Sequence, residues 1–462
     1  MIDILPDDVL LEIFNFYKDD SKKQIVLTWK WKTLTQVCRR WRHIIIASPR
    51  RLELQVICTN ATPTQLLDHW PTLPITIIHN LSYTLNGNDI GNTIIATVNY
   101  RDRISEVYIT NINDTEWEKL EAVMQEPLPA LRLFFLDSNF LSIPARVLPE
   151  TFMGGSAPNL QLFHLQGVSF PTLPTFVLSA AHIVELRLLS VPNSGYISPE
   201  AMATCLLALP KLEYLSIGFD DSHLSLPHQI SPPRTTRAIL PALTNLWFRG
   251  VSEYFADFVA RIDTTRLNLL IIVSLSMDVY FDIPRPRESP GPFNEAEIVF
   301  SGQTITVILR SPNPFEVQLR CELPGWLDSS ITQVFGQQLP HLSHVEQLEI
   351  REPLLEWTGD PTMLSSKWLE LLHLFIAVQN LYVSKNLVPH IAAALQESYT
   401  GPWAMEVLPA LHNLSLEGFQ PSAPVEEGIN TFIAARQLSD QPVVVQCWEL
   451  QPPDDYEPYY GW

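Results

Sequence analysis

The side chains able to do chemistry are scattered rather than grouped. His341-Leu342-Ser343-His344 is the closest pair of histidines. No cysteine or carboxylate cluster accompanies it, so both read as ordinary loop-to-strand histidines. Cys38, Cys58, Cys205, Cys321 and Cys447 are odd in number and far apart. They form neither a disulfide framework nor a CxxC metal site. No GxGxxG, P-loop, GxSxG or HExxH sequence occurs. The acidic residues are numerous, but no spacing singles out a general acid and base. The expectation is a protein that is not an enzyme, with no catalytic residue, metal or cofactor.

What remains for the chain to do is bind. It has 462 residues, too many for one compact core, so either several domains or one elongated repeat array is expected. Apolar residues make up 46%, enough for a sizeable core. Thirty basic against 50 acidic residues give a net charge of −20, which argues against nucleic acid or an anionic membrane as partner. No apolar run approaches the ~18–20 residues of a membrane span. Met1-Ile2-Asp3-Ile4 carries no basic leader region, and the expected location is a reducing compartment, cytoplasm or nucleus. Proline is in excess, 38 residues against a usual share of about 5%.

Residues 1–51 hold ten Lys/Arg and six acids, a local charge of +4 that leaves −24 on the rest. Leu5-Pro6-Asp7-Asp8 reads as a helix start, with proline in the first turn and acids at the positive dipole end. Val9, Leu10, Ile13, Phe14 and Tyr17 then recur at helical spacing as one apolar stripe. After a polar loop, Leu34, Val37, Cys38, Trp41, Ile44 and Ile45 repeat the pattern and stop before Ser48-Pro49. Helices this short are marginal unless docked on something.

The run Leu5-Pro6-Asp7-Asp8-Val9-Leu10-Leu11-Glu12-Ile13-Phe14, followed by Val37-Cys38-Arg39-Arg40-Trp41-Arg42-His43-Ile44, resembles an F-box. The resemblance implies docking on the Skp-type adaptor of a cullin–RING (SCF) ubiquitin ligase. Leu5, Pro6, Leu10, Ile13, Phe14, Val37, Cys38 and Trp41 would then serve that interface or its supporting core. The adaptors are acidic, which suits a +4 segment. The long inter-helix stretch with Trp29 and Trp31 departs from the pattern. The plainer alternative makes Phe14 and Trp41 the core of a small helical cap, with Cys38 a buried hydrophobe.

Beyond this segment a phrase recurs: apolar-x-x-apolar-x-apolar. It runs Ile104/Val107/Ile109, Leu131/Phe134/Leu136, Leu160/Phe163/Leu165, Ile183/Leu186/Leu188 and Leu212/Leu215/Ile217. It continues Leu243/Leu246/Phe248, Leu267/Leu270/Ile272, Val345/Leu348/Ile350, Val378/Leu381/Val383 and Leu411/Leu414/Leu416. Onsets lie 23 to 33 residues apart, except for one gap of 78 taken to hide a degenerate repeat near Ile298-Val299-Phe300 and Ile305 to Leu309. The spacing is similar to that of leucine-rich repeats. The last two apolar positions alternate on a short strand, and neighbouring repeats must stack to close a core. Only Asn139 and Asn386 fall where a regular repeat carries asparagine, so an irregular array is expected.

Helices are expected between the strands. Their starts are a Thr115-Glu116-Trp117-Glu118 capping box, Ser198-Pro199, Ser252, and Ser365 or Ser366. Leu128-Pro129, Leu209-Pro210, Leu240-Pro241, Leu339-Pro340 and Leu408-Pro409 are read as helix stops ahead of each phrase. Trp368 to Leu372, Val378 to Val383, Glu417-Gly418 and Phe432 to Ser439 resemble the C-terminal part of fungal F-box/leucine-rich-repeat proteins. The expected fold is α/β: an F-box-like helical domain (1–50), an irregular leucine-rich-repeat-like solenoid (51–448) and an acidic, aromatic tail (449–462). The solenoid places parallel strands on its concave face and helices on its convex face. An α/α solenoid is the rival.

Outward strand positions would line the concave face. They are Glu106, Tyr108, Phe135, Asp137, His164, Gln166, Glu185, Arg187, Tyr214, Trp247, Arg249, Glu349, Arg351, Tyr382 and Glu417. Tyr214, Trp247, Arg249 and Arg351 are the expected contacts to a protein target, being the residue types that anchor interfaces. Trp247 and Phe135 packed under a neighbouring loop or helix is the competing expectation. The tail is either frayed or folded back on the repeats. The function expected from the resemblance is substrate recognition for an SCF ligase, and the alternative is a repeat scaffold outside any ligase.

Overall fold

A computed structural model describes residues 5–19, 30–48, 55–58, 73–80, 100–138, 145–220, 237–274, 292–301, 304–313, 315–322, 342–352, 365–400, 407–418 and 423–448. Trp29, Asn139, Leu339-Pro340, His341 and the expected tail lie outside them. The chain divides into two compact units, Met1–Ile197 with Thr204–Leu212, and Ser198–Ala203 with Glu213–Trp462. Each is α/β, with mostly parallel strands connected through helices and turns.

The first unit opens with α1 (Asp7–Asp19), α2 (Lys30–Val37) and α3 (Arg39–Ala47). The expected single second helix is broken at Cys38, whose extended backbone and sulfur, accepting from Trp41 N at 3.4 Å, cap α3. Strands β1 (Val56–Cys58), β2 (Ile75–Asn80), β3 (Ile104–Thr110), β4 (Leu133–Asp137), β6 (Leu162–Gln166) and β8 (Glu185–Val191) lie side by side, all parallel. Two short strands, β5 (Arg146–Val147) and β7 (Val168–Ser169), pair separately. Among the described residues, helix α4 (Asp114–Val123) follows β3, whereas a 3-10 turn follows β4 and a single turn, α5 (Leu173–Phe176), follows β6. The layer behind the strands is therefore uneven. A cluster of Phe134, Phe152, Phe163, Phe170 and Phe176 fills it where a helix is missing, with ring centroids 5.3–6.3 Å apart.

Helix α6 (Pro199–Leu206) spans the division between the units, with Ser198 Oγ accepting from Ala201 N as expected of an N-cap. In the second unit β9 (Tyr214–Phe219), β11 (Asn245–Gly250) and β13 (Leu269–Ser274) are parallel neighbours. β17 (Gln347–Arg351), β18 (Asn380–Val383), β19 (Asn413–Glu417) and β20 (Val444–Trp448) form a second parallel run. Helices α7 (Ser252–Ala260), α8 (Ser365–His373), α9 (Val388–Thr400) and α10 (Ala423–Leu438) fill the connections, with α8 packed on α9 and α9 on α10. β10 (Ala238–Leu240) and β12 (Ile262–Thr264) pair apart from the main strands.

All three apolar positions of every phrase are buried. The stacking within each unit is compatible with a solenoid-like arrangement. Among the described residues, however, the long gap between phrases does not hold the expected degenerate repeat at Ile298 to Leu309. It holds a meander of β14 (Glu295–Ser301), β15 (Thr304–Arg310) and β16 (Glu316–Glu322), antiparallel to one another. β16 runs parallel to β13 and β14 parallel to β17, so spatial order reverses chain order. The alternating Ile305, Val307 and Leu309 face the core, a period-2 pattern that serves either strand direction equally. β1, β2 and β20 each lack the full phrase.

The Leu-Pro pairs do something different from stopping helices. Leu128 lies past a turn that follows α4, and Leu240 ends a strand. In each described case the first apolar residue of the phrase donates its N–H to the carbonyl of that leucine. The bonds are Leu131 to Leu128 (3.1 Å), Leu212 to Leu209 (3.2 Å), Leu243 to Leu240 (3.4 Å) and Leu411 to Leu408 (3.1 Å). Proline thus takes the second place of a four-residue turn, where its fixed φ is favourable, and both flanking leucines are buried. The α4 cap is also shifted. Asn113, not Thr115, is the N-cap, accepting from Glu116 N at 2.9 Å while Glu116 Oε2 accepts from Asn113 N at 3.2 Å.

Where a regular repeat would use asparagine, Asn386 is exposed in a 3-10 turn. Buried serines hold the strand ends instead: Ser138 Oγ donates to Gly167 O at 2.8 Å, and Ser384 Oγ accepts from Glu352 N at 3.1 Å. The first leaves no room at Gly167, which has φ +69°, and a Cβ there would stand 2.7 Å from Ser138 O. Gly167→Ala is expected to cost more than ~1 kcal/mol in urea unfolding, through both strain and this collision.

Candidate interaction surfaces

The N-terminal helices have a core of their own. Leu10, Leu11 and Phe14 of α1 are buried with Thr35, Ile44 and Ile45. The Trp41 ring meets Phe14 edge-on at 4.8 Å. Arg40 Nη2 ties α3 to the start of α1, donating to Leu5 O and Asp7 Oδ1, each at 2.6 Å. The expected single stripe on α1 therefore splits in two. Val9 and Ile13 turn outward, joined by Phe16 at 78% exposure, a residue the sequence reading missed although it continues the i, i+4, i+7 spacing. Val37 is 58% exposed and Pro6 is exposed, whereas Leu5, Cys38 and Trp41 are half-buried. The eight expected adaptor residues thus comprise a core pair, Leu10 and Phe14, three bridging residues, and three open to solvent. Exposed large apolar side chains on one short helix are uncommon without a partner.

The open strand face of the first unit is made of the expected outward residues, in register. Tyr108, Phe135, His164 and Arg187 form one cross-strand row, and Thr110, Asp137 and Gln166 the next. Tyr108 and Phe135 rings lie 6.2 Å apart, Phe135 and His164 4.3 Å. His164 is buried rather than outward-exposed, and its pKa is lowered to about 3, chiefly by burial and then by the Arg187 charge, against a hydrogen bond the ring donates to the Gln166 side chain. Arg187 pairs with Glu185. Burial raises Asp137 above the usual carboxylate range, and burial with the Glu106 charge pushes Tyr108 up to about 12. Beneath this face His79 lies 3.7 Å from Glu116; burial lowers its pKa and Glu116 opposes that.

In the second unit Tyr214, Trp247 and Arg249 come together on β9 and β11. Trp247 is half-buried, its ring lying across Gly218, where a Cβ would stand 2.9 Å from it. It packs on the neighbouring strand and stays half-buried. Arg351 does not join them. It sits on β17, five strand positions from β11, about 24 Å at the usual inter-strand spacing. It is engaged with Glu349 and, at 3.6 Å, with Glu297. Glu297 and Glu316 also flank Arg310 at 2.8 and 3.1 Å. Burial lowers the Arg310 pKa, but the two carboxylates more than offset this, so the net shift is upward.

Burial pushes the thiols of Cys58, Cys205 and Cys321 up to about 11, which leaves them poor nucleophiles at neutral pH. Among the described residues no group of three or more His, Cys, Asp or Glu is placed to hold a metal. None of the described helices is long and apolar enough to cross a membrane. No protein-family model and no curated protein matches this chain.

Proposed function

We propose that this protein is a substrate-recognition subunit of an SCF-type ubiquitin ligase. Its N-terminal helices dock on the Skp-type adaptor, and its strand faces, read as an irregular leucine-rich-repeat array, hold a target protein in the cytoplasm or nucleus. The protein does no chemistry of its own; it raises the effective concentration of the target at the ligase. The observation that carries this reading is the apolar surface of Pro6, Val9, Ile13, Phe16 and Val37 on a helical module that already has its own core. Such a surface has the apolar makeup of an interface, with exposed Glu12 at its edge.

Co-purification with the adaptor tests it. Ile13→Asp combined with Phe16→Asp removes two solvent-facing side chains, so helicity and melting temperature should hold. Adaptor recovery should fall at least about tenfold, the loss of one or two hot-spot contacts. Wild-type protein that recovers no adaptor, or a double variant that recovers as much as wild type, would favour a repeat scaffold outside any ligase.

A further inference from the structure

The open face of the first unit carries two buried polar atoms that meet nothing. Asp137 Oδ1 and His164 Nε2 have no hydrogen-bond partner among the described residues. His164 is 7% exposed. Asp137 is in register with Gln166, two positions beyond His164, so the pair are diagonal neighbours with Cα atoms about 7–8 Å apart. Buried polar atoms are nearly always satisfied, and two adjacent exceptions on one face ask for a shared partner.

The surroundings select its chemistry. Tyr108, Phe135 and His164 offer ring faces along the adjoining row. Glu106 and Asp137 supply carboxylates, and Arg187, the cation next to His164 in the row, is engaged by Glu185. His164 is held neutral at pH 7, so it does not repel a cation, and Nε2 accepts a hydrogen bond when the ring proton sits on Nδ1. A guanidinium has five donors, no acceptor, and a flat face suited to aromatic rings.

We infer that this face receives an arginine side chain from an extended segment of the target protein, its guanidinium donating to Asp137 Oδ1 and His164 Nε2 and stacking along Phe135. The inference rests on reading the strand face as the target-binding surface.

Anisotropy of full-length protein with a fluorescein-labelled nonapeptide of alternating leucine and arginine tests it. Matched peptides carry lysine or glutamate in place of arginine. The arginine peptide should bind at least about tenfold tighter than the glutamate peptide, and tighter than the lysine peptide, since a charged hydrogen bond is worth about that factor. Asp137→Asn should weaken it about tenfold while leaving the melting temperature level or higher, because the variant relieves a carboxylate buried without a donor. Phe135→Leu, which keeps apolar volume but loses the ring, should also weaken it. Glu118→Gln, an equal charge change on the exposed face of α4, should not. Equal losses for Asp137→Asn and Glu118→Gln would mean the peptide senses only the overall charge and would overturn the inference, as would arginine and glutamate peptides binding alike. Adaptor recovery on the same preparations separates the two readings. Intact recovery with no arginine preference sinks the arginine site alone, and arginine-selective binding without adaptor sinks the ligase reading alone.

Discussion

Acidification from pH 6.5 to 4 should cost the protein on the order of 3 kcal/mol through one side chain, His164, at about 1.4 kcal/mol per pH unit of linkage. The folded pKa is lowered to about 3 from 6.5 by burial first and Arg187 second. A group depressed on folding binds fewer protons in the native state across that window. Its contribution is complete above pH 6.5 and is lost as pH falls toward 3. The residue is almost fully buried, so solvent screening takes little away. His79 and His390, both lowered chiefly by burial, act in the same direction. Asp137 acts against them: its raised pKa gives a penalty that grows as pH rises past the ordinary aspartate range and is relieved on acidification. Urea unfolding at a series of pH values, wild type against His164→Gln, reads the difference directly. The variant should show the shallower slope below pH 6.5, and parallel curves would refute the assignment.

Phe163→Ala should be the most destabilising single truncation in the first unit, at about 3–5 kcal/mol. Phe163 has no exposed surface, and its ring is within 5.5–6.3 Å of Phe134, Phe152, Phe170 and Phe176. Rings interlocked on several sides cannot collapse into the hole, so the cavity persists and its cost adds to the lost transfer energy. Phe163→Leu should recover most of the loss, since aliphatic bulk refills the space. A double cycle with Phe152→Ala should show clear non-additivity, because both truncations open the same cavity. A loss below ~1.5 kcal/mol for Phe163→Ala would mean that the phenylalanine cluster is not the support for the strands that its geometry implies.

The strand phrases were the most legible part of the chain. Their apolar positions are buried because period-2 alternation and a required stacking partner leave little choice. The outward row from Tyr108 to Arg187 followed from the same alternation. Three things were hidden for physical reasons. Pairing direction is invisible to an alternating pattern, which is why the β14–β16 meander passed for a repeat. Proline before a strand reads alike as a helix stop or a turn, and only the Leu128–Leu131 type of bond separates them. The inner and outer stripes of α1 abut around the helix, and both are apolar, so spacing alone does not say whether Leu11 or Val9 faces the core. For the candidate sites, residue type suggested Arg351, but type carries no word of the neighbours that occupy it.

The meander in the second unit has one more implication. It adds three strands, of which only the middle one is reversed, so β16 beside β13 and β14 beside β17 keep the polarity of the strands they join. Across it Leu270, Val317, Leu309, Ala296 and Leu348 stand in one unbroken row. An insertion with an even number of reversals and no register slip turns no flanking side chain over. The segment thus behaves as a cassette: the ruled surface of the second unit lengthens by three strand widths while the phase of inward and outward positions on both sides stays the same. Reach along a bound partner can change in this way without redesigning the residues that make contact.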